Sequence, residues 1–147
     1  MSSDSIATDF VARLLVVDDD LVQRKIIAKI GTQAGFQTAE ASSFEEAERM
    51  LQVEQYDCVT LDLSLGPRSG VLLLRTMIET RNSVPVIVVS GATEQVLQTT
   101  LDVAGNLRLE AQTMHKPLNL IELRAILADK RAHAAGARGS RQLELSL

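Results

Sequence analysis

Short apolar runs alternate along this chain with segments in which apolar residues recur every three or four positions. Leu14-Leu15-Val16-Val17 predicts a strand buried on both faces, and residues 21–34 predict a helix with Leu21, Ile26, Ile27 and Ile30 turned inward, ended by Gly35. Residues 36–41 read as a second strand. Ser43 and Glu46 have capping-box spacing, which opens a helix running to about Gln52. Residues 57–61 form a third strand, 63–69 a loop marked by Gly66-Pro67, and the stripe Val71, Leu74, Met77, Ile78 the core face of the next helix. The most β-branched run, 85–89, is a fourth strand, followed by a helix over 93–104 stopped by Gly105. Residues 109–114 alternate polar with apolar, as an edge strand does, and Asn119 with Glu122 starts a last helix reaching about Arg131.

Strands that each lead into a helix predict an α/β fold: one doubly wound parallel sheet with right-handed crossovers, over residues 12–131. Residues 1–11 are expected to be a flexible N-terminal segment. Residues 132–147, rich in Ala, Gly, Arg and Ser, are expected to be a disordered basic tail.

Composition narrows the function classes. Hydrophobic residues make up 46% of the 147 and aromatics 3%, with no Trp, so the core is aliphatic and an aromatic base-stacking platform is excluded. Residues 1–129 carry a net charge of −7 and residues 130–147 a net +3. An acidic body is a poor surface for phosphate backbones, so no direct DNA binding is expected. Cys58 lies within an apolar run and reads as a small buried hydrophobe. The first twelve residues hold two aspartates and no Lys or Arg, unlike a secretory signal, and no apolar stretch approaches the ~18 residues of a membrane span. A cytoplasmic location with no membrane attachment is the expectation.

The chemistry sits where apolar runs end. Asp18-Asp19 closes the first, Asp62 the third, Ser90 the fourth and Lys116-Pro117 the fifth. The carboxyl ends of parallel strands border the ligand crevice of an open sheet, so these groups are expected to converge. Three carboxylates brought together repel one another. Magnesium suits them, because Mg2+ takes a few carboxylate oxygens and leaves positions for water and phosphate oxygens. Asp20 reads as a helix-start residue, and His115 and His133 lack partners at metal-ligand spacing.

The segments Leu15-Val16-Val17-Asp18-Asp19, Val59-Thr60-Leu61-Asp62 with Gly70 eight residues on, Val88-Val89-Ser90-Gly91, and Lys116-Pro117 resemble the response-regulator receiver domains of bacterial two-component signalling. The resemblance implies a flavodoxin-like (CheY-like) sheet of order 2-1-3-4-5 and a stand-alone receiver without an output domain. It implies Asp62 as the acceptor of a phosphoryl group from a sensor histidine kinase or histidine phosphotransfer protein. Mg2+ would be held by Asp18, Asp19, Asp62 and the backbone carbonyl of Ser64, with Asp18 acting through water. Lys116, Ser90 and the Gly91 amide would contact the phosphoryl oxygens, and Lys116-Pro117 would be cis. The signal would pass to a downstream protein, or the phosphate would be relayed. The resemblance also implies an aromatic switch residue three positions before the lysine, where this chain has Thr113. The spacing from Ser90 to Lys116 is longer than usual by a few residues. Ser64 and Ala92 are small and offer no general base, which predicts slow hydrolysis of the phosphorylated form.

Two other readings compete. Asp18-Asp19-Asp20 contains the Asp-x-Asp of haloacid-dehalogenase-type phosphatases, but that reading leaves Asp62 without a role and finds no later acidic pair. A pseudo-receiver, a binding module that keeps the acidic pocket without being phosphorylated, is the other.

Overall fold

The computed structural model describes residues 10–64, 70–91 and 94–146, with side chains as far as Ala137 apart from that of Glu94. Strand and helix alternate throughout: β1 (Ala12–Val17), α1 (Leu21–Gln33), β2 (Phe36–Ala41), α2 (Phe44–Val53), β3 (Cys58–Asp62), α3 (Val71–Glu79), β4 (Val86–Ser90), α4 (Glu94–Asn106), β5 (Ala111–His115) and α5 (Leu120–Ser146). All neighbouring strands pair in parallel, in the order β2-β1-β3-β4-β5. Strand order reverses between β1 and β3, the switch point at which such sheets open a crevice.

Because side chains alternate across a strand, each strand feeds two cores. Leu15, Val17, Val59, Leu61, Val86 and Val88 pack beneath α2, α3 and α4, meeting Phe44, Leu51, Leu73, Leu74, Met77 and Leu97. Leu14, Val16, Cys58, Ile87, Val89 and Met114 pack on the other face against Ile27 and Ile30 of α1 and Leu123 and Leu127 of α5. Burial on both faces explains why the central strands read as unbroken apolar runs. It also pushes the Cys58 thiol up to about 12, so Cys58 is an inert core residue. Thr60, between Val59 and Leu61, is the exception: its hydroxyl is buried without a hydrogen-bond partner.

Caps set the helix starts. Asp20 caps α1 through a bond from the Gln23 amide, and Asn119 Oδ1 accepts from the Glu122 amide at 3.0 Å. Ser43 accepts from the Glu46 amide, but the Glu46 carboxylate reaches the amide of Ser42 rather than that of Ser43. Gly35 follows α1 with φ 102°, a left-handed conformation that side chains disfavour.

Several expectations are corrected. Leu21 and Ile26 are exposed: Leu21 lies on the side of α1 opposite Ile30, while Ile26, about 100° around from the fully buried Ile27, sits at the rim of the packed face. Helix α4 runs through Gly105 to Asn106, and the left-handed residue that ends it is Arg108, φ 60°, with the Leu109 amide bonded back to the Ala104 carbonyl. The last helix does not end near Arg131. The segment expected to be a disordered tail continues as helix to Ser146. Ala132, Ala134, Ala135 and Ala137 are strong helix formers, and the cost of Gly136, about 1 kcal/mol, does not break the run. Residues 1–9 of the N-terminal segment, the Gly66-Pro67 turn, and Ala92 with Thr93 lie outside the described residues.

Candidate functional site

Register brings the strand-end groups together. Val17 pairs with Leu61, so Asp18 and Asp62 are the next residues on adjacent strands, while Asp62 pairs with Val89 and Ser90 with His115, placing Ser90 and Lys116 at the same edge. Backbone bonds extend the ladder by one residue on each side: the Asp18 amide donates to the Ala41 carbonyl at 3.0 Å, and the Lys116 amide to the Ser90 carbonyl at 3.1 Å. The site is thus anchored on strands rather than on loops.

Carboxylate oxygens of Asp18, Asp19 and Asp62 all lie within 4.8 Å of one another. Asp18 and Asp62 are buried, at 1% and 2% exposure, and Asp19 opens to solvent. Each oxygen of Asp62 has a donor: the Ser64 amide on Oδ1 and Lys116 Nζ on Oδ2, both at 2.9 Å. Asp18 accepts from the Asp20 amide on Oδ1 and from Gln23 Nε2 on Oδ2. Arg24 fixes the same turn, donating to the Asp18 carbonyl while pairing with Glu40.

Electrostatics follow from this packing. Burial pushes the Asp18 carboxyl above its usual range and the charge of Asp62 adds to the push, while the Asp20 amide and Gln23 pull the other way. For Lys116, its own burial works against the charge, but the bond to Asp62 and the charges of Asp62, Asp18 and Asp19 outweigh it, leaving its pKa above that of an ordinary lysine. The lysine is therefore a permanent cation at neutral pH. Three carboxylates against one ammonium leave surplus negative charge in a set of oxygen donors, which suits a hard divalent cation.

Ser90 is buried at the end of β4, and Gly91 beside it is exposed, with open space where a side chain would stand. Thr113 is half-buried in the middle of β5, opposite Val88. Lys116-Pro117 is cis. Gly70 abuts the site from α3: a Cβ there would stand 3.1 Å from the Asp62 carbonyl oxygen and 3.3 Å from Leu63 Cα. A cavity of about 550 Å³ lined by Arg13, Arg49, Met50, Val53 and Tyr56 lies toward the other end of the strands and shares no residue with the carboxylate cluster.

Sequence reasoning missed Gln23 and Arg24. The only signal was position: Gln23 stands three residues after the helix cap Asp20. Asn82 was missed too. Fully buried, it accepts the Tyr56 amide on Oδ1 and donates to the Leu51 carbonyl, tying α2, β3 and the end of α3 together. Among the described residues, no helix is long and apolar enough to cross a membrane.

Comparison with known proteins agrees with this geometry. The family described as "Response regulator receiver domain" matches residues 14–128. The regulatory protein VirG of Agrobacterium fabrum is 34% identical over 79 residues, which are 54% of this chain and 31% of VirG. The cell cycle transcriptional regulator CtrA of Caulobacter vibrioides is 25% identical over 122 residues, 83% of this chain and 53% of CtrA. The chain therefore spans about half or less of the length of these relatives. A CheY-like receiver domain protein from Methanospirillum hungatei superposes with a TM-score of 0.75 at 21% identity, covering 87% of this chain and 99% of that one. Receiver domains interact with histidine kinases or phosphotransfer proteins and act as signalling phosphoacceptors. With its parallel sheet in 2-1-3-4-5 order, its strand-end carboxylates and the family match across most of its length, this chain belongs to the response regulator receiver domain family.

Proposed function

We propose that the chain is a phosphorylation-controlled signalling receiver in which Asp62 accepts a phosphoryl group. The observation that carries this is the contact of Lys116 Nζ with Asp62 Oδ2, inside the cluster formed with Asp18 and Asp19. Transfer from a phosphohistidine breaks the P–N bond and forms a bond from an Asp62 oxygen to phosphorus, releasing the imidazole.

Asp62 and the arriving phosphoryl group are both anionic, so catalysis consists of positioning and charge stabilisation. Lys116 supplies a compact positive charge beside the attacking carboxylate. Ser90 presents a hydroxyl and Gly91 an amide at the same edge as donors to phosphoryl oxygens. Asp18, Asp19, Asp62 and the Ser64 carbonyl would hold Mg2+, which when bound neutralises the cluster and the charge gathering on the phosphoryl oxygens. A protein phosphodonor fits the surroundings: the exposed apolar residues Val22, Ile26 and Leu120, with Pro117, line a cavity of about 350 Å³ reaching Asp20 and Gln23. Thr113 offers no aromatic ring to report the new charge, so output falls to Ser90 and the loop after it, through phosphorylation-dependent protein binding or relay of the phosphate.

Incubation with acetyl phosphate and Mg2+, followed by intact mass, tests the proposal. One added phosphoryl group that disappears in Asp62→Ala supports it. No adduct and no released phosphate leaves a pseudo-receiver binding module, and phosphate release without an adduct points to a phosphatase.

A further inference from the structure

Gln23 is the third residue of α1, the position from which a Glu or Gln side chain ordinarily reaches back to the amide of the cap residue. Here the amide of the cap, Asp20, is already taken by Asp18 Oδ1 at 2.9 Å. The Gln23 side chain instead turns its Nε2 to Asp18 Oδ2, at 2.5 Å. Asp18 is thus gripped at both oxygens from the two ends of a single turn, while the Gln23 backbone amide holds Asp20 Oδ1 at 3.0 Å.

The choice of amide matters chemically. Glutamate would suit the positive helix end and the capping box equally well, yet it accepts only, and would bring a fourth negative charge against Asp18. An ammonium at the same place would add a fixed positive charge where a cation is to sit. A neutral donor alone orients Asp18 without altering the charge of the cluster, and each Asp18 oxygen keeps a lone pair for a ligand after accepting one bond.

We infer that Gln23 is a positioning residue for the divalent-cation site, holding the Asp18 carboxylate toward Asp19 and Asp62 so that the three oxygens are arranged before the cation arrives. This rests on the reading of the acidic cluster as a cation site. Groups that orient metal ligands from outside the coordination sphere change affinity by about 10–100-fold when removed.

Calorimetric titration of the unphosphorylated protein with MgCl2, with thermal midpoints measured in EDTA, separates the possibilities. Gln23→Met, of similar length and good helix propensity, is expected to weaken Mg2+ binding about tenfold or more, and to lower the EDTA midpoint as well because a bond to a buried carboxylate is lost. Gln23→Ala is expected to do the same. A purely structural role would lower the midpoint and leave the affinity alone. Unchanged affinity in both variants overturns the role of Gln23. Absence of Mg2+ binding by the unaltered protein, or binding that survives Asp19→Ala, overturns the cation site itself and the inference with it.

Discussion

Lys116 Nζ sits 2.9 Å from Asp62 Oδ2, joining the end of β5 to the end of β3 across the intervening strand β4. Because Asp62 is buried and Lys116 partly so, the ammonium acts at short range on a carboxylate that water scarcely reaches. Lys116→Met is expected to slow phosphorylation by acetyl phosphate about a hundredfold, the scale seen when one charge-stabilising donor is removed. Lys116→Arg is expected to remain slow, since a planar guanidinium does not replace a compact point charge. Phosphorylation of Lys116→Met at the unaltered rate, followed by intact mass, would remove the lysine from the mechanism. The folded-state pKa of Lys116 lies above 10.5, so the pair's contribution to stability is complete below pH 10.5 and is lost as pH rises through the folded value.

Gly70 adopts an ordinary helical φ of −57°, so its requirement is space and not conformational freedom. The atoms a Cβ would press on include the backbone of Asp62 and Leu63, which cannot yield without moving the Asp62 carboxylate. Gly70→Ala is expected to cost about 1–3 kcal/mol in urea unfolding, as overpacking does, and to slow phosphorylation as well. A gain in stability, as expected for Ala at an unobstructed helix start, would mean the neighbouring backbone yields freely.

Asp18 titrates above 3.8 in the folded chain, chiefly because it is buried. The native state therefore holds this proton more tightly than the unfolded state does, and stability falls as pH rises from about 3.8 through the folded value. Neutral pH lies on the destabilised side. In EDTA at pH 7, Asp18→Asn is expected to melt above the unaltered chain, with the advantage shrinking as pH falls toward 3.8. A lower melting point for Asp18→Asn in EDTA would mean that the bonds from Asp20 and Gln23 outweigh the burial of the charge.

Thr60 buries a hydroxyl with no partner on the face of β3 that packs beside Cys58 and Ile87. Leaving such a group unsatisfied costs about 1–3 kcal/mol. Thr60→Val keeps the shape and the β-branching, and is expected to stabilise the fold by about 1 kcal/mol or more in urea. Destabilisation on this change would reveal a bond made by the hydroxyl in solution.

Much of this molecule was legible in its sequence. Strands β3 and β4 were read to within a residue, and β1 to within two at its start, because burial on both faces leaves a local mark, an unbroken aliphatic run that ends abruptly. The strand-end positions of Asp18, Asp62 and Ser90 were legible for the same reason, since each stands where a run stops, whereas Lys116 follows an alternating strand and was marked by the proline after it. Less legible was whatever depends on the rotation of a helix about its axis. Leu21 and Ile26 looked inward but are exposed, because apolar side chains occur on more of α1 than the sheet covers. The end of α4 was misplaced because Gly105 marked a stop that the chain makes three residues later, at Arg108.

By itself the sequence determined the order of elements, the residues that stand at the strand ends and the family, since these depend on residue types and spacing along one dimension. Tertiary structure alone decided which groups touch. Register put Asp18 beside Asp62, packing of α3 brought Gly70 against the Asp62 carbonyl, and the turn from β1 into α1 aimed the Gln23 amide at Asp18. Those contacts join residues through distances of 3 Å or so, set by how strands align and helices seat, and no periodicity along the chain encodes them.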